Sequence, residues 1–186
     1  LLHPYQACDL VPQCLSASSS RKCLPVGSRI ARLIWSRHRS RFQSASRKAA
    51  RESVCLSTES AVERGLTLRQ QGAALVDLGA ESSLLDAARA DDTLQKARLI
   101  PTVSKLSSHD VLVSAETYLP CVARACLEAG AKVLNITGPE HATEIYELAA
   151  ANEAAVIICH VQGANVREVS ELRLGNDPIT EMSKFF

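Results

Sequence analysis

Residues 111–138 read VLVSAETYLPCVARACLEAGAKVLNITG. An apolar run stops at Ser114, Glu116 and Thr117. The segment PCVARACLEAG then has Pro120 in a first helical turn and Gly130 just past the end. Its apolar positions Val122, Ala125, Cys126 and Ala129 step by three and four, which predicts one buried helix face. The second apolar run, KVLNITG, stops at Asn135 and Thr137. Two continuous apolar strands joined by a helix form a parallel βαβ unit, because strands covered on both faces need no alternation. Hydrogen-bonding groups then fall where each strand leaves the core.

The same unit recurs on both sides. Upstream, a helix over 59–71 precedes Gly72, a natural residue for the turn after a helix. The run AALVDLGAESS ends in Asp77, Gly79, Glu81, Ser82 and Ser83. DDTLQKARLIPTVSKL predicts a helix capped by Asp91 or Asp92 and kinked at Pro101. Downstream, PEHATEIYELAAANE predicts a helix with Ala142, Ile145, Leu148 and Ala149 inward. AAVIICHVQG is a further strand ending in Cys159, His160 and Gln162, and Asp177 is the expected N-cap of a last helix. Strict alternation of this kind predicts an α/β fold with a parallel sheet and right-handed crossovers. A doubly wound open sheet and a (β/α)8 barrel both fit, and both gather function at the carboxyl ends of the strands.

Charge divides the chain. Residues 1–51 carry ten Lys or Arg against one acid, Asp9, whereas residues 52–186 carry eleven against nineteen. The first part is rich in Arg and Ser and shows no sustained periodicity, so no packed fold is expected there. A transit peptide, a basic arm, or translated sequence foreign to the domain each has this composition. The expected location is the cytoplasm, or a mitochondrion or plastid if residues 1–51 are a transit peptide. Nucleic acid is not the expected partner, since no aromatic platform accompanies the charge. No apolar run reaches the ~20 residues of a membrane span. The seven cysteines, Cys8, Cys14, Cys23, Cys55, Cys121, Cys126 and Cys159, form no Cys-x-x-Cys pair. They are expected to be buried reduced thiols rather than metal ligands.

The strand ends bring Asp77, Glu81, Glu116 and Asn135 towards one rim, with no lysine among them. A carboxylate accepts two hydrogen bonds from an amidine edge, and an Asn amide offers a donor and an acceptor to a ring amide. A pterin or a guanine-like ring presents that edge, and sugars and amines also suit carboxylates. Each group has a plainer role as well. Asp77 and Glu116 could cap helices, Asn135 could satisfy loop backbone, and His160 could sit in the core. No P-loop, Gly-x-Gly-x-x-Gly or Gly-x-Ser-x-Gly motif is present.

Four of these segments resemble, in order and spacing, the dihydropteroate synthase family. GAALVDLGAESS is similar to its Asp-x-Gly-Gly-Glu-Ser-Thr strand, VSAETY to its Ser-Val-Asp-Thr strand, KVLNITG to its Ile-Asn-Asp strand, and VIICHVQG to its Met-His-Met-(Gln/Arg)-Gly strand. The resemblance covers residues 55–186. It implies a partial TIM barrel, about strands 2–5 with their helices. It also implies condensation of 6-hydroxymethyl-dihydropterin pyrophosphate with p-aminobenzoate, assisted by Mg²⁺. Pterin-binding positions fall on Glu116, Asn135 and Cys159. The pocket is expected to draw on Asp77, Glu81, Ser82, Ser83, Thr117, Thr137, His160 and Gln162.

Departures are specific. Glu116 stands where the family has Asp, no Thr-Arg-Pro-Gly follows Ser83, and the Asn-x-Thr-Pro-Asp-Ser-Phe signature linked to metal and pyrophosphate is absent from residues 1–58. The expectation is a truncated or divergent chain of about half a barrel, prone to aggregate or to form a homodimer, and inactive by itself. A non-catalytic pterin-binding relative and a methyltetrahydrofolate methyltransferase-like enzyme are the alternative readings.

Overall fold

The computed structural model describes residues 30–35, 54–81, 89–159, 161, 177, 179–180 and 183. The strands are β1 (Ile30–Trp35), β2 (Val54–Cys55), β3 (Leu75–Gly79), β4 (Val113–Glu116), β5 (Val133–Ile136) and β6 (Ala155–Ile158). The helices between them are α1 (Thr58–Gln70), α2 (Asp92–Ser107), α3 (Pro120–Glu128) and α4 (Ala142–Ala151). All strands pair in parallel in the order β2-β1-β3-β4-β5-β6.

The expectation that residues 1–51 hold no packed element is corrected by β1. IARLIW is an apolar run broken only by Arg32, and it pairs along its length with β3 from Ile30↔Leu75 to Ile34↔Gly79. The flanking arginines set the composition of the segment and hide six residues that a parallel sheet accepts.

Side-chain caps start α1 and α2. Ser57 caps α1 in a reciprocal capping box with Ser60, two residues before the expected start at residue 59. The Asp91 carboxylate accepts from the Leu94 N–H at 2.8 Å and caps α2, while Asp92 pairs with Lys96 at 3.1 Å. Pro101 does not break α2, and the Thr102 hydroxyl donates to the Arg98 carbonyl at 2.9 Å in the next position. Asp177 accepts from the Thr180 N–H at 3.1 Å, as an N-cap does.

After each helix the chain reverses through one residue with positive φ, namely Gly72, Asp110, Gly130 or Glu153. The amides of that residue and the next fold back on the last turn, as in Gly130 N to Leu127 O and Ala131 N to Cys126 O. That reversal delivers the next strand directly.

Alternate strand residues face opposite ways. Val76, Leu78, Val113, Ala115, Leu134 and Ile136 pack outward against Leu99, Val103 and Leu106 of α2, Val122 and Cys126 of α3, and Ile145 and Leu148 of α4. The buried face of α3 is rotated from the expected one, with Ala123 and Leu127 buried and Ala125 and Ala129 half-buried. Ala142 is likewise half-buried.

The cysteine expectation is corrected at Cys121, which is exposed, while Cys55 and Cys126 are buried. Burial pushes the Cys126 thiol from 9.0 up to about 12. The folded state therefore holds this proton more tightly than the unfolded state. Stability from this group is complete below pH 9 and is lost as pH rises towards 12. A maleimide probe at pH 7.5 is expected to label Cys121 in the folded chain and Cys126 only after unfolding. Labelling of both at equal rates would contradict the packing.

Candidate functional site

The inward face of the sheet carries Leu75, Asp77 and Gly79 on β3, Ser114 and Glu116 on β4, and Val133 and Asn135 on β5. Register links them: Asp77 pairs with Ser114, Gly79 with Glu116, and Glu116 with Asn135. Glu116 and Asn135 thus lie side by side on adjacent strands and project to the same side.

One contact defines the shape. The Asn135 amide nitrogen Nδ2 donates to Asp77 Oδ2 at 3.0 Å, across the intervening strand β4. In a flat sheet those strands lie about 10 Å apart and perpendicular side chains would not meet. The sheet is concave towards this face. The stagger agrees: Asp77 registers with Ser114 and Ser114 with Val133, and Asn135 lies two residues beyond Val133. A shift of one residue per strand is the shear of a (β/α)8 barrel, whose inner layers take residues from alternate strands. Asp77 and Asn135 form one such layer. The same rule places Glu116 and Cys159 in the next.

The layer is electrostatically ordered. Asp77 and Asn135 are both buried. Cys159 Sγ donates to Asn135 Oδ1 at 3.7 Å, so the amide has its nitrogen towards Asp77 and its oxygen towards the thiol. Among the described residues, one N–H and one lone pair of Asn135 have no partner and could serve another molecule. Ser114 is fully buried, and its Oγ has no hydrogen-bond partner among the described residues.

Two expected wall residues also tie neighbouring loops together. The Thr117 hydroxyl donates to Gln95 Oε1 at 2.8 Å and accepts from the Leu119 N–H at 3.1 Å. The Glu81 carboxylate accepts from the Ala90 N–H at 2.7 Å, and Gln95 Nε2 donates to the Ala90 carbonyl at 3.0 Å. Glu81, Ala90, Gln95 and Thr117 therefore staple the chain after β3 to the chain after β4. Alternation explains Thr117, which follows inward Glu116 and so turns towards α2. Gln95 was hidden because its positions in α2 read as core, with Leu99, Thr102, Val103 and Leu106 along the same face. The Arg89 guanidinium sits over the Tyr118 ring at 5.0 Å and links the same two loops. Thr137 is half-buried just past β5. Ser82, Ser83, His160 and Gln162 lie outside the described residues.

A Mg²⁺ site finds no support in these side chains: among the described residues no three or more His, Cys, Asp or Glu cluster to hold a metal ion. No described helix is long and apolar enough to cross a membrane.

The sequence profile of the family described as "Pterin binding enzyme" matches residues 44–186. The chain belongs to the pterin-binding enzyme family. It is 39% identical over 80 residues to dihydropteroate synthase of Mycobacterium leprae, covering 43% of this chain and 28% of that one. It is 33% identical over 132 residues to dihydropteroate synthase of a Synechocystis species, covering 70% of this chain and 45% of that one. The crystal structure of Burkholderia cenocepacia dihydropteroate synthase complexed with 7,8-dihydropteroate superposes with a TM-score of 0.62 at 26% identity, covering 85% of this chain and 50% of that one. The chain thus spans half or less of the length of these relatives. Its fold is part of their TIM barrel. The family match begins at residue 44, upstream of residue 55.

Proposed function

We propose that this chain supplies the ring-binding wall of a dihydropteroate synthase-like enzyme of folate biosynthesis. The observation that carries the reading is the pairing of Glu116 with Asn135 on one concave face, beside an Asn135 amide whose orientation is fixed by Asp77 and Cys159. A 2-amino-4-oxo ring would donate its amidine edge to the Glu116 carboxylate and exchange one donor and one acceptor with Asn135. Holding the ring this way would present the methylene at its 6-position to an arylamine. In the proposed reaction the amine nitrogen of p-aminobenzoate bonds to that carbon, the carbon–oxygen bond to pyrophosphate breaks, pyrophosphate keeps the electron pair, and the amine loses a proton. The wall contributes orientation, which accounts for a large share of such a bimolecular rate. Mg²⁺, when bound, would offset charge on the departing pyrophosphate, and no described residue is assigned to it. Free thiols at Cys55, Cys121, Cys126 and Cys159 support a reducing compartment such as the cytoplasm.

The absence of Thr-Arg-Pro-Gly after Ser83 favours a second reading, a pterin binder without synthase chemistry. Titration with 6-hydroxymethylpterin, following ligand fluorescence, tests the shared part. Saturable binding is expected. Binding with no product from pterin pyrophosphate and p-aminobenzoate would select the second reading, and no saturable binding would overturn both.

A further inference from the structure

Gly79 is the inward residue of β3 beside Glu116. Its backbone is not in the positive-φ region, so no turn demands glycine here. Space does. A Cβ built on Gly79 would lie 2.6 Å from Glu116 Oε2, and its next contacts are at an ordinary 3.7 Å. The Glu116 carboxylate therefore lies folded over the bare Cα of its neighbour on β3. Glutamate is one methylene longer than aspartate, and a straight Glu116 would carry its charge about 1 Å or more further into the concavity, a displacement that can cost about 100-fold in rate. Folding sideways over Gly79 absorbs that length.

We propose that Gly79 and Glu116 act as one unit, in which the missing side chain at 79 sets the position of the Glu116 carboxylate and hence the affinity for a pterin ring. The proposal rests on the pterin reading above. Gly79 is a positioning residue, since it would act through Glu116. Among the described residues the only close atom is the end of a flexible side chain, so Gly79→Ala displaces the carboxylate at little cost to the fold.

The test is a double-mutant cycle read by fluorescence titration with 6-hydroxymethylpterin. Gly79→Ala is expected to weaken binding about tenfold or more, as 1.4 kcal/mol of misplaced charge would. In the Glu116→Asp background the same substitution is expected to change affinity less than about threefold, because the shorter side chain leaves room. Glu116→Asp thus rescues Gly79→Ala. Urea unfolding of all four chains checks that each is folded. Equal losses in both backgrounds, or no loss in either, would overturn the coupling while leaving the pterin reading intact. An unliganded wild type at saturating pterin would overturn the reading and the proposal with it.

Discussion

Asn135→Ala is expected to reduce pterin affinity about 100-fold and to lower stability by about 2 kcal/mol. The two effects have separate causes. Stability falls because Asp77 loses the Nδ2 donor at 3.0 Å, and a hydrogen bond to a buried charged group is worth about 1.5–3 kcal/mol. Asp77 keeps its other interactions, so the chain still folds. Affinity falls because the ring loses a donor and an acceptor at once, and its own polar edge is left facing a desolvated wall. Asn135→Asp keeps the volume and separates the causes. It sets a second carboxylate against Asp77, and two carboxylates this close resist joint ionisation. It is expected to be less stable than wild type at pH 8 and to recover towards it at pH 5, by urea unfolding at each pH. Retention of wild-type affinity by Asn135→Ala would remove Asn135 from the site.

Leu106→Ala is expected to cost about 3–5 kcal/mol, the largest stability loss among these variants. Leu106 is fully buried in α2, and its methyls fill the space above Gly65 of α1, where a Cβ would stand 2.8 Å from Cδ2. Truncation leaves a cavity between two helices that the sheet holds apart. The contact also predicts a reciprocal effect. Gly65→Ala overpacks the wild type, but in the Leu106→Ala background the added methyl enters the vacated space and gains about 1 kcal/mol of helix propensity. The double variant is expected to be more stable than Leu106→Ala alone. A double variant weaker than either single would contradict the packing of α1 on α2.

Much of the fold could be read from residues 55–159 because local signals and core pattern agree there. Gly72 and Gly130 mark two helix ends that the structure keeps. The other two ends were not legible, since Asp110 and Glu153 adopt the same positive φ without a glycine to announce it. Here the demands of the next strand outweigh a local penalty of about 1–2 kcal/mol. β1 was missed for a different reason. Six apolar-rich residues lie in a strongly basic segment, and parallel pairing with β3 is a long-range contact that composition does not encode.

For the site, period-two alternation distinguishes Glu116 from Thr117, whereas their shared place at a strand end does not. The staple through Gln95 needed coordinates, because a polar residue on a core face looks the same in sequence whether it is satisfied or not. The role of Gly79 needed them too, as the motif glycine reads as a turn residue until the Glu116 carboxylate is seen above it.

The most direct measurement is the NMR spectrum of the Asn135 side-chain amide, assigned by its loss in Asn135→Ala, as 6-hydroxymethylpterin is added. The Asn135 amide is predicted to shift saturably with pterin, and to do so with the same midpoint as ligand fluorescence. Unmoved Asn135 signals at saturating pterin would contradict the claim that the ring docks on the Glu116–Asn135 wall.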